Sequence, residues 1–217
     1  KQVWSQNGGV WESLADVSDD LTSGVTQIYS NISYGTFAAL KIDGSVVTWG
    51  RSYYGGDTSA VSDNLSSGVV QIYPNKGSFA ALKTDGSVVT WGDSTRGGDS
   101  SAVSDDLSSG VTLIYSTDNA FAALKIDGSV VTWGLADRGG DSSAVSDDLS
   151  SGVTKIYSNP YAFAALKDDG SVVTWGMADE GGDSSAVSDY LSSGVTHIHY
   201  NNGSFAALKN DGSVVTW

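Results

Sequence analysis

Residues 37–49 read Phe-Ala-Ala-Leu-Lys-Ile-Asp-Gly-Ser-Val-Val-Thr-Trp, so that Asp43 and Gly44 stand between two apolar runs. Asp-Gly in this setting is the strongest short-range signal for a β-hairpin with a tight two-residue turn. Because side chains alternate along a strand, pairing outward from Asp43-Gly44 predicts two largely apolar faces. Such a hairpin must be covered on both sides. The predicted faces are Ala38, Leu40, Val47 and Trp49 on one side and Phe37, Ala39, Val46 and Thr48 on the other.

The same hairpin recurs every 42 residues along the chain. One unit also holds a short alternating run before the hairpin and a Gly-Gly-Asp segment after it. We therefore predict four short strands per unit, named A (25–29), B (37–41), C (45–49) and D (about 57–62) in the first unit. Four strands of about five residues with short turns fill a unit of this length. The hairpins occupy residues 37–49, 79–91, 121–133, 163–175 and 205–217.

The order of these segments predicts an all-β fold, a five-bladed β-propeller formed by residues 1–217 as a single domain. The chain begins with a D-type segment, residues 10–17, and ends on a C strand at Trp217. The N-terminal strand would then complete the last blade and close the ring, which leaves no blade face exposed. A closed ring of this kind predicts a monomer. The alternatives are an open solenoid and an arc cut from a larger ring.

The pattern Ala-Leu-x-x-Asp-Gly-x-Val-x-x-Trp-Gly-x-x-x-x-Gly, in Ala39–Gly55 and Ala81–Gly97, resembles the signature of the regulator of chromosome condensation repeat family. The resemblance implies a β-propeller, which that family usually builds from seven longer repeats. Here Gly-Gly-Asp-Ser replaces the family's Gly-Gln-Leu-Gly. The loops on which the founding member's nucleotide-exchange activity depends have no counterpart, so that activity is not implied. Five short repeats are also similar to tachylectin-type sugar-binding propellers.

Composition excludes several functions. The net charge of −14 repels nucleic acid, and the eleven Lys and Arg form no basic cluster. No apolar run is long enough to span a membrane. The chain has no Cys, two His and no Gly-x-Ser-x-Gly motif, so we expect no enzyme. His197 and His199 share one strand without a third ligand in view, and we predict no metal there. We expect an extracellular or cell-surface protein.

Variation between the units is concentrated in the A–B and C–D links. In an up-and-down blade both links emerge at one edge, which we call the variable rim. The B–C and D–A turns, nearly identical between units, form the opposite uniform rim. A variable rim indicates contact with a partner, and the alternative is neutral drift in exposed loops. The available contacts are Tyr53, Tyr54, Asn75, Arg96, Arg138, Tyr161, Asn201 and Asn202.

The Gly-Gly-Asp segments offer a carboxylate and hydroxyls in every unit. Such groups suit sugar hydroxyls or, together with Asp105 and Asp106, calcium; the simpler interpretation is a local turn. The hairpin tryptophans suit sugar stacking, but a large ring opposite a small residue favours packing between blades. The leading prediction is a multivalent glycan-binding module without a cofactor. The alternative is a protein-interaction or structural adhesin platform, either an excised fragment or an engineered repeat. The segment carboxylates are Asp57, Asp99, Asp141 and Asp183.

Overall fold

The computed structural model describes residues 17–31 and 33–217, which form five three-stranded antiparallel sheets in succession along the chain. Within each sheet the strands lie in chain order, so each repeat is a meander. The predicted all-β class is confirmed. The described part of the chain holds no helix long and apolar enough to cross a membrane.

The strands correspond to the predicted A, B and C segments. Short 3-10 helices occupy the C–D links and the Gly-Gly-Asp segments. The strands are β1 Val25–Asn31, β2 Thr36–Lys41, β3 Val46–Trp49, β4 Val69–Pro74, β5 Ser78–Lys83, β6 Val88–Gly92, β7 Val111–Ser116, β8 Ala120–Lys125, β9 Val130–Gly134, β10 Val153–Ser158, β11 Ala162–Lys167, β12 Val172–Gly176, β13 Val195–Tyr200, β14 Phe205–Lys209 and β15 Val214–Thr216. The helices are the 3-10 turns Ser52–Tyr54, Ser59–Val61, Ser94–Arg96, Ser101–Val103, Ala136–Arg138, Ser143–Val145, Ala178–Glu180 and Ser185–Val187, and the α-helical turn α1 Ser188–Leu191.

The hairpin register differs by one residue from the predicted one. The Lys41 amide donates to the Ser45 carbonyl at 2.9 Å, and the Gly44 amide donates back to Lys41 at 2.9 Å. The loop therefore has three residues, with Gly44 in the left-handed region at φ 78°. This is a type I turn followed by a glycine bulge. The observed faces are Phe37, Ala39, Val47 and Trp49 on one side and Ala38, Leu40, Val46 and Thr48 on the other.

The predicted fourth strand is not formed by the described Gly-Gly-Asp segments, and four-stranded repeats are not confirmed. Residues 59–61 form a 3-10 turn, and the Asp57 Oδ1 accepts a hydrogen bond from the Ser59 amide at 2.9 Å. The side chain of Asp57 thus offers the backbone a local partner in place of a neighbouring strand. The same arrangement recurs in the three later Gly-Gly-Asp segments.

The core lies between successive sheets, so the second, third and fourth sheets have two buried faces and each end sheet has one. We call the face toward the preceding repeat the leading face and the face toward the next repeat the trailing face. The Trp91 indole stacks on Phe79 and donates from Nε1 to the Gly55 carbonyl at 3.1 Å. Equivalent bonds are made by Trp133, Trp175 and Trp217. The tryptophans of the second, third and fourth sheets are thus core residues. Between the first two sheets, the trailing face is Tyr29, Ala38, Leu40 and Val46, and the leading face is Ile72, Phe79, Ala81, Val89 and Trp91.

The predicted closure of the ring is not seen among the described residues. The leading face of the first sheet exposes Ile28, and the trailing face of the fifth exposes Leu208 and Val214. The N-terminal strand that would close the last blade is the D-type segment 10–17, of which residues 10–16 lie outside the described residues. Five blades in a closed ring remain a prediction.

Candidate functional site: the variable rim

The A–B and C–D links lie at one edge of each sheet, as predicted. In the second repeat the Asn75 Nδ2 donates to the Arg96 carbonyl at 2.6 Å, and the Asp93 amide donates to the Gly77 carbonyl at 2.9 Å. At the other edge the Val69 amide donates to the Gly44 carbonyl at 3.0 Å, which joins two successive repeats along the uniform rim.

Asn75 holds the A–B link together. Its Oδ1 accepts from the amides of Gly77 and Ser78 at 3.0 and 2.8 Å and from the Ser78 hydroxyl at 2.9 Å. The side chain is buried and engaged with the loop itself, so we interpret Asn75 as a loop-positioning residue. Asn201 caps the Ser204 amide in the same way but is exposed. Asn31, Thr117 and Asn159 stand at the equivalent place.

Three tyrosines and an arginine form an aromatic cluster on the rim. Tyr34 stacks on Tyr54 with ring centroids 3.7 Å apart, and Tyr53 meets Tyr54 edge-on at 5.1 Å. The Arg96 guanidinium lies 5.6 Å from the Tyr34 ring centroid, a cation–π contact. Tyr53 is 60% exposed, so the cluster faces solvent. The predicted contacts Tyr53, Tyr54 and Arg96 are thus brought together.

Asp93 anchors this cluster from below. Its carboxylate accepts from the Arg96 Nε at 3.0 Å and from the Tyr53 hydroxyl at 3.2 Å. Burial raises the pKa of the Asp93 carboxyl, but hydrogen bonds from Thr95, Arg96 and Tyr53 outweigh burial and hold that pKa below its ordinary value. Asp93 therefore stays ionised and fixes the position of Arg96. Arg96 Nη1 also donates to the Asn119 Oδ1 in the next repeat.

A second, smaller cluster lies farther along the rim. The Arg138 guanidinium is 4.9 Å from the ring centroid of Tyr161, which belongs to the A–B link of the next repeat. The Asp137 carboxylate lies 3.8 Å from the Arg138 Nε. The predicted contacts Arg138 and Tyr161 are therefore neighbours. In both clusters an arginine of a C–D link contacts the A–B link of a neighbouring repeat: Arg138 contacts Tyr161 of the next repeat, and Arg96 contacts Tyr34 of the preceding one.

The A–B links of all five repeats surround one cavity of about 590 Å³. The Lys76 amide donates to the Asp118 carbonyl at 3.1 Å, and the Asp118 amide donates to the Pro160 carbonyl at 3.0 Å, so the second, third and fourth links are tied backbone to backbone. The Lys76 ammonium pairs with Asp118 at 2.5 Å. Small-molecule and cofactor sites usually have volumes in this range. We call this space between the A–B links the axial cavity. Polar residues from every repeat line it: Ser30, Asn75, Lys76, Thr117, Asp118, Asn159, Asn201 and Asn202.

The Gly-Gly-Asp carboxylates lie elsewhere, on the outer edges of the blades. All four are exposed, and each accepts a hydrogen bond from a backbone amide two residues later. That amide, followed by the hydroxyl of the same serine, holds the pKa of these carboxyls below the ordinary range. Asp99 and Asp141 border outer grooves of about 430 and 450 Å³ beside Trp133 and Trp175. The hydrogen bonds agree with the turn interpretation, while sugar and calcium binding stay predictions.

The repeated lysines make structural contacts, and the two histidines are exposed to solvent. The repeated lysine ties the uniform rim, since Lys83 Nζ donates to the Asn64 carbonyl at 2.8 Å and Lys125 Nζ to Asp106 at 2.7 Å. His197 and His199 are both exposed. In residues 17–31 and 33–217 no three His, Cys, Asp or Glu side chains are grouped so as to hold a metal ion.

Sequence reasoning missed several residues of this rim, among them Asp93, which anchors the aromatic cluster. Tyr34, Lys76 and Asp118 occur once each in links of unlike sequence, so comparison of the repeats gives them no signal. The one available signal was their position, because every A–B link residue of the same repeat lies at the same edge. Tyr34 in particular completes the aromatic cluster.

Comparison with known proteins gives fold relatives only. No family model matches the chain, and no curated protein matches it. Human WBSCR16 aligns with a TM-score of 0.53 and 19% identity, over 89% of this chain and 61% of that protein. Yeast RCC1 (Prp20), in its complex with Kap60, aligns with a TM-score of 0.54 and 18% identity, over 95% and 58%.

The Saccharomyces cerevisiae protein Prp20p, in a structure described together with its binding to Gsp1p and histones, gives a TM-score of 0.52 and 16% identity, over 95% of this chain and 59% of that one. The chain thus spans about three-fifths of the length of these propellers. The resemblance carried by the Asp-Gly and Trp-Gly motif is therefore confirmed in three dimensions: this chain has the fold of the RCC1-like β-propeller repeat proteins.

Proposed function

We propose that the chain is a non-enzymatic protein-interaction module that binds a segment of a partner protein at the variable rim, over the axial cavity. The observation that carries the proposal is the convergence of five unlike A–B links on one cavity of about 590 Å³. Unlike links create one asymmetric surface, which suits a single protein segment better than five equal sugars.

The chemistry of the rim supports the same proposal. The aromatic cluster is rich in Tyr and Arg, the residues enriched at protein interfaces and their hot spots. The Arg96 side chain is already positioned by Asp93, so little conformational entropy is lost when a partner binds. The Gly-Gly-Asp segments on which the glycan prediction depended bond to their own backbone. Protein binding by the yeast fold relative, which is described bound to Kap60, agrees with this choice.

Panning a random-peptide phage library against the immobilised chain tests the proposal. Asn202→Trp should block the axial cavity, because Asn202 is exposed and lines it. Asn210→Trp is the matched control on the uniform rim, at a position where other repeats carry Ile, Thr or Asp. We expect enriched peptides that bind the unaltered chain and Asn210→Trp but not Asn202→Trp.

No enrichment, or enrichment that Asn202→Trp leaves unchanged, would refute the rim as the binding site. A glycan array run in parallel, with calcium and with a chelator, separates the two functions. Binding to a narrow sugar class together with an empty peptide selection would restore the glycan prediction.

A further inference from the structure

The two ends of the arc expose faces that are buried at every internal junction. Ile28 on the leading face of the first sheet is 59% exposed, whereas its equivalents in the other four sheets are between 1% and 4% exposed. Leu208 on the trailing face of the fifth sheet is 37% exposed, against 6–9% for its equivalents. Those equivalents are Ile72, Ile114, Ile156 and Ile198, and Leu40, Leu82, Leu124 and Leu166.

The two exposed faces are the two halves of one repeated interface. At the junction between the second and third repeats, Leu82, Ala80 and Val88 of the trailing face pack against Ile114 and Phe121 of the leading face. The fifth sheet carries Leu208, Ala206 and Val214 at the trailing positions, and the first sheet carries Ile28 and Phe37 at the leading positions. Each open face is therefore the complement of the other.

Backbone groups at the ends match in the same way. At the first internal junction the Val69 amide donates to the Gly44 carbonyl and the Val46 amide donates to the Leu65 carbonyl, both at 3.0 Å. Similar pairs join the second and third junctions, and at the fourth the Val195 amide donates to the Gly170 carbonyl at 3.0 Å. In the described ranges, the corresponding amides of Val25 and Val214 make no bond of this kind. The carbonyl groups that would receive them belong to Gly212 and Leu21, at opposite ends of the arc.

We propose that the trailing face of one chain binds the leading face of a second copy of the same chain, reproducing the internal junction between repeats. The occupant follows from the repeat itself, because this apolar face is covered at each internal junction by the next copy of the sequence. An apolar face of this kind resembles a domain core cut in half, as obligate interfaces between identical subunits do. Contact between unlike patches makes the interface heterologous, or head-to-tail.

Two single substitutions test the proposal through a mixing experiment. Ile28→Asp disables the leading face, and Leu208→Asp disables the trailing face. Both side chains are exposed within one chain, so we expect each variant to fold, with an unchanged circular dichroism spectrum. Sedimentation velocity should show self-association of the unaltered chain and only monomers of either variant, because burying an unpaired carboxylate weakens association by roughly 100-fold or more.

An equimolar mixture of Ile28→Asp and Leu208→Asp should form a one-to-one complex. In that complex the intact trailing face of the first variant meets the intact leading face of the second, and further growth is blocked. Persistent self-association of Leu208→Asp alone would show a symmetric contact between leading faces and refute the proposal. A monomeric unaltered chain at all concentrations, or a mixture that stays monomeric, would refute it too.

His199 supplies an independent variant in the opposite direction. The trailing face carries Tyr29, Tyr73, Tyr115 and Tyr157 at the equivalent position in the other repeats. We expect His199→Tyr to tighten self-association several-fold, because it restores the side chain that packs, buried or partly buried, at the internal junctions. His197→Tyr is the matched control. His197 lies on the same strand as His199 and pairs with Leu208 of the neighbouring strand, at a position where other repeats carry Gln, Leu or Lys. Equal effects of the two substitutions would contradict the proposed junction.

Discussion

Gly97 shows how closely the backbone of one repeat approaches the aromatic pair of the next. Its φ is 94°, and an added Cβ would stand 2.7 Å from the Phe121 Cδ2 and 3.2 Å from the Trp133 Cδ1. We expect Gly97→Ala to lower the free energy of unfolding by about 3 kcal/mol, of which about 1–2 kcal/mol is left-handed strain and the rest overpacking. Urea denaturation with an unchanged m value measures the difference.

Gly110→Ala is the control for this substitution. Gly110 has φ 77°, but an added Cβ would meet only the ends of two side chains at ordinary contact distance, the Lys125 Cε at 3.5 Å and the Ile126 Cγ2 at 3.9 Å. This variant carries the strain without the clash and should cost about 1–2 kcal/mol. If both variants lost the same unfolding free energy, the close approach of Gly97 to Phe121 and Trp133 would add no cost beyond the backbone strain.

The hairpin carboxylates predict an acid dependence of stability. The Ser87 hydroxyl, followed by its amide, holds the pKa of the Asp85 carboxyl below its ordinary value, and the same pair recurs in every hairpin. A folded-state pKa below the unfolded one gives stability that is present above the unfolded pKa of about 3.9 and is lost as the pH falls through the folded pKa. We therefore expect the melting temperature to fall below about pH 4.

Ser87→Ala isolates one of these pairs. Carbon-13 NMR titration should show the Asp85 pKa moving up toward its ordinary value, because the hydroxyl donor is lost. Ser87→Thr retains a hydroxyl and should leave the pKa nearly unchanged. A pKa that stays low in Ser87→Ala would assign the shift to the backbone amide alone.

Among elements, the hairpin was predictable and its register was not. Asp-Gly between apolar runs correctly placed β2 and β3, but the two-residue turn assumed Ile42 in the ladder, whereas Ile42 belongs to a three-residue loop. That loop moves Phe37 opposite Trp49 and creates the aromatic stack of the core. Sequence alone does not distinguish the two loops, since Gly44 suits a positive φ in both.

The Gly-Gly-Asp segment failed as a strand for a local reason. The Ser101 amide donates to the Asp99 carboxylate within the turn, so this backbone group needs no hydrogen bond to a neighbouring strand. The edge at which the links emerge was predictable, and so were most of the rim residues. Strands A, B and C alternate in direction whether or not the D segment forms a strand. The cavity between the links depends on the curvature of the arc, which no single repeat encodes.

The residue that caps the A–B link in one repeat should be replaceable by the residue that caps it in another. Asn75→Ala removes a side chain that receives two backbone amides and donates to the Arg96 carbonyl, so we expect a loss of about 2–3 kcal/mol in unfolding free energy. Asn75→Thr should recover about half of that loss, because Thr117 caps the same link in the third repeat. Chemical denaturation of the two variants side by side checks this. If Asn75→Thr were no more stable than Asn75→Ala, the rest of the A–B link, rather than the capping side chain, would determine the unfolding free energy.

At the scale of the whole molecule, stability should follow the number of neighbours that each sheet has. Sheets in a linear array gain stability from each interface, so an end sheet with one covered face opens more readily than a middle sheet with two. The fifth sheet already shows this in its exposed Leu208 and Val214, whereas the equivalent leucine of the third sheet, Leu124, is buried.

Native-state hydrogen exchange measures the consequence. In Ile28→Asp, which should stay monomeric, amides of β14 should exchange at least about tenfold faster than the equivalent amides of β8. In the unaltered chain, raising the protein concentration should slow exchange in β14 and β15 but not in β8, because only the end faces gain a partner. Equal exchange across all sheets at low concentration would mean that the repeats unfold as one cooperative unit. Concentration-independent exchange in β14 would instead leave the end faces without a second copy and contradict the head-to-tail junction.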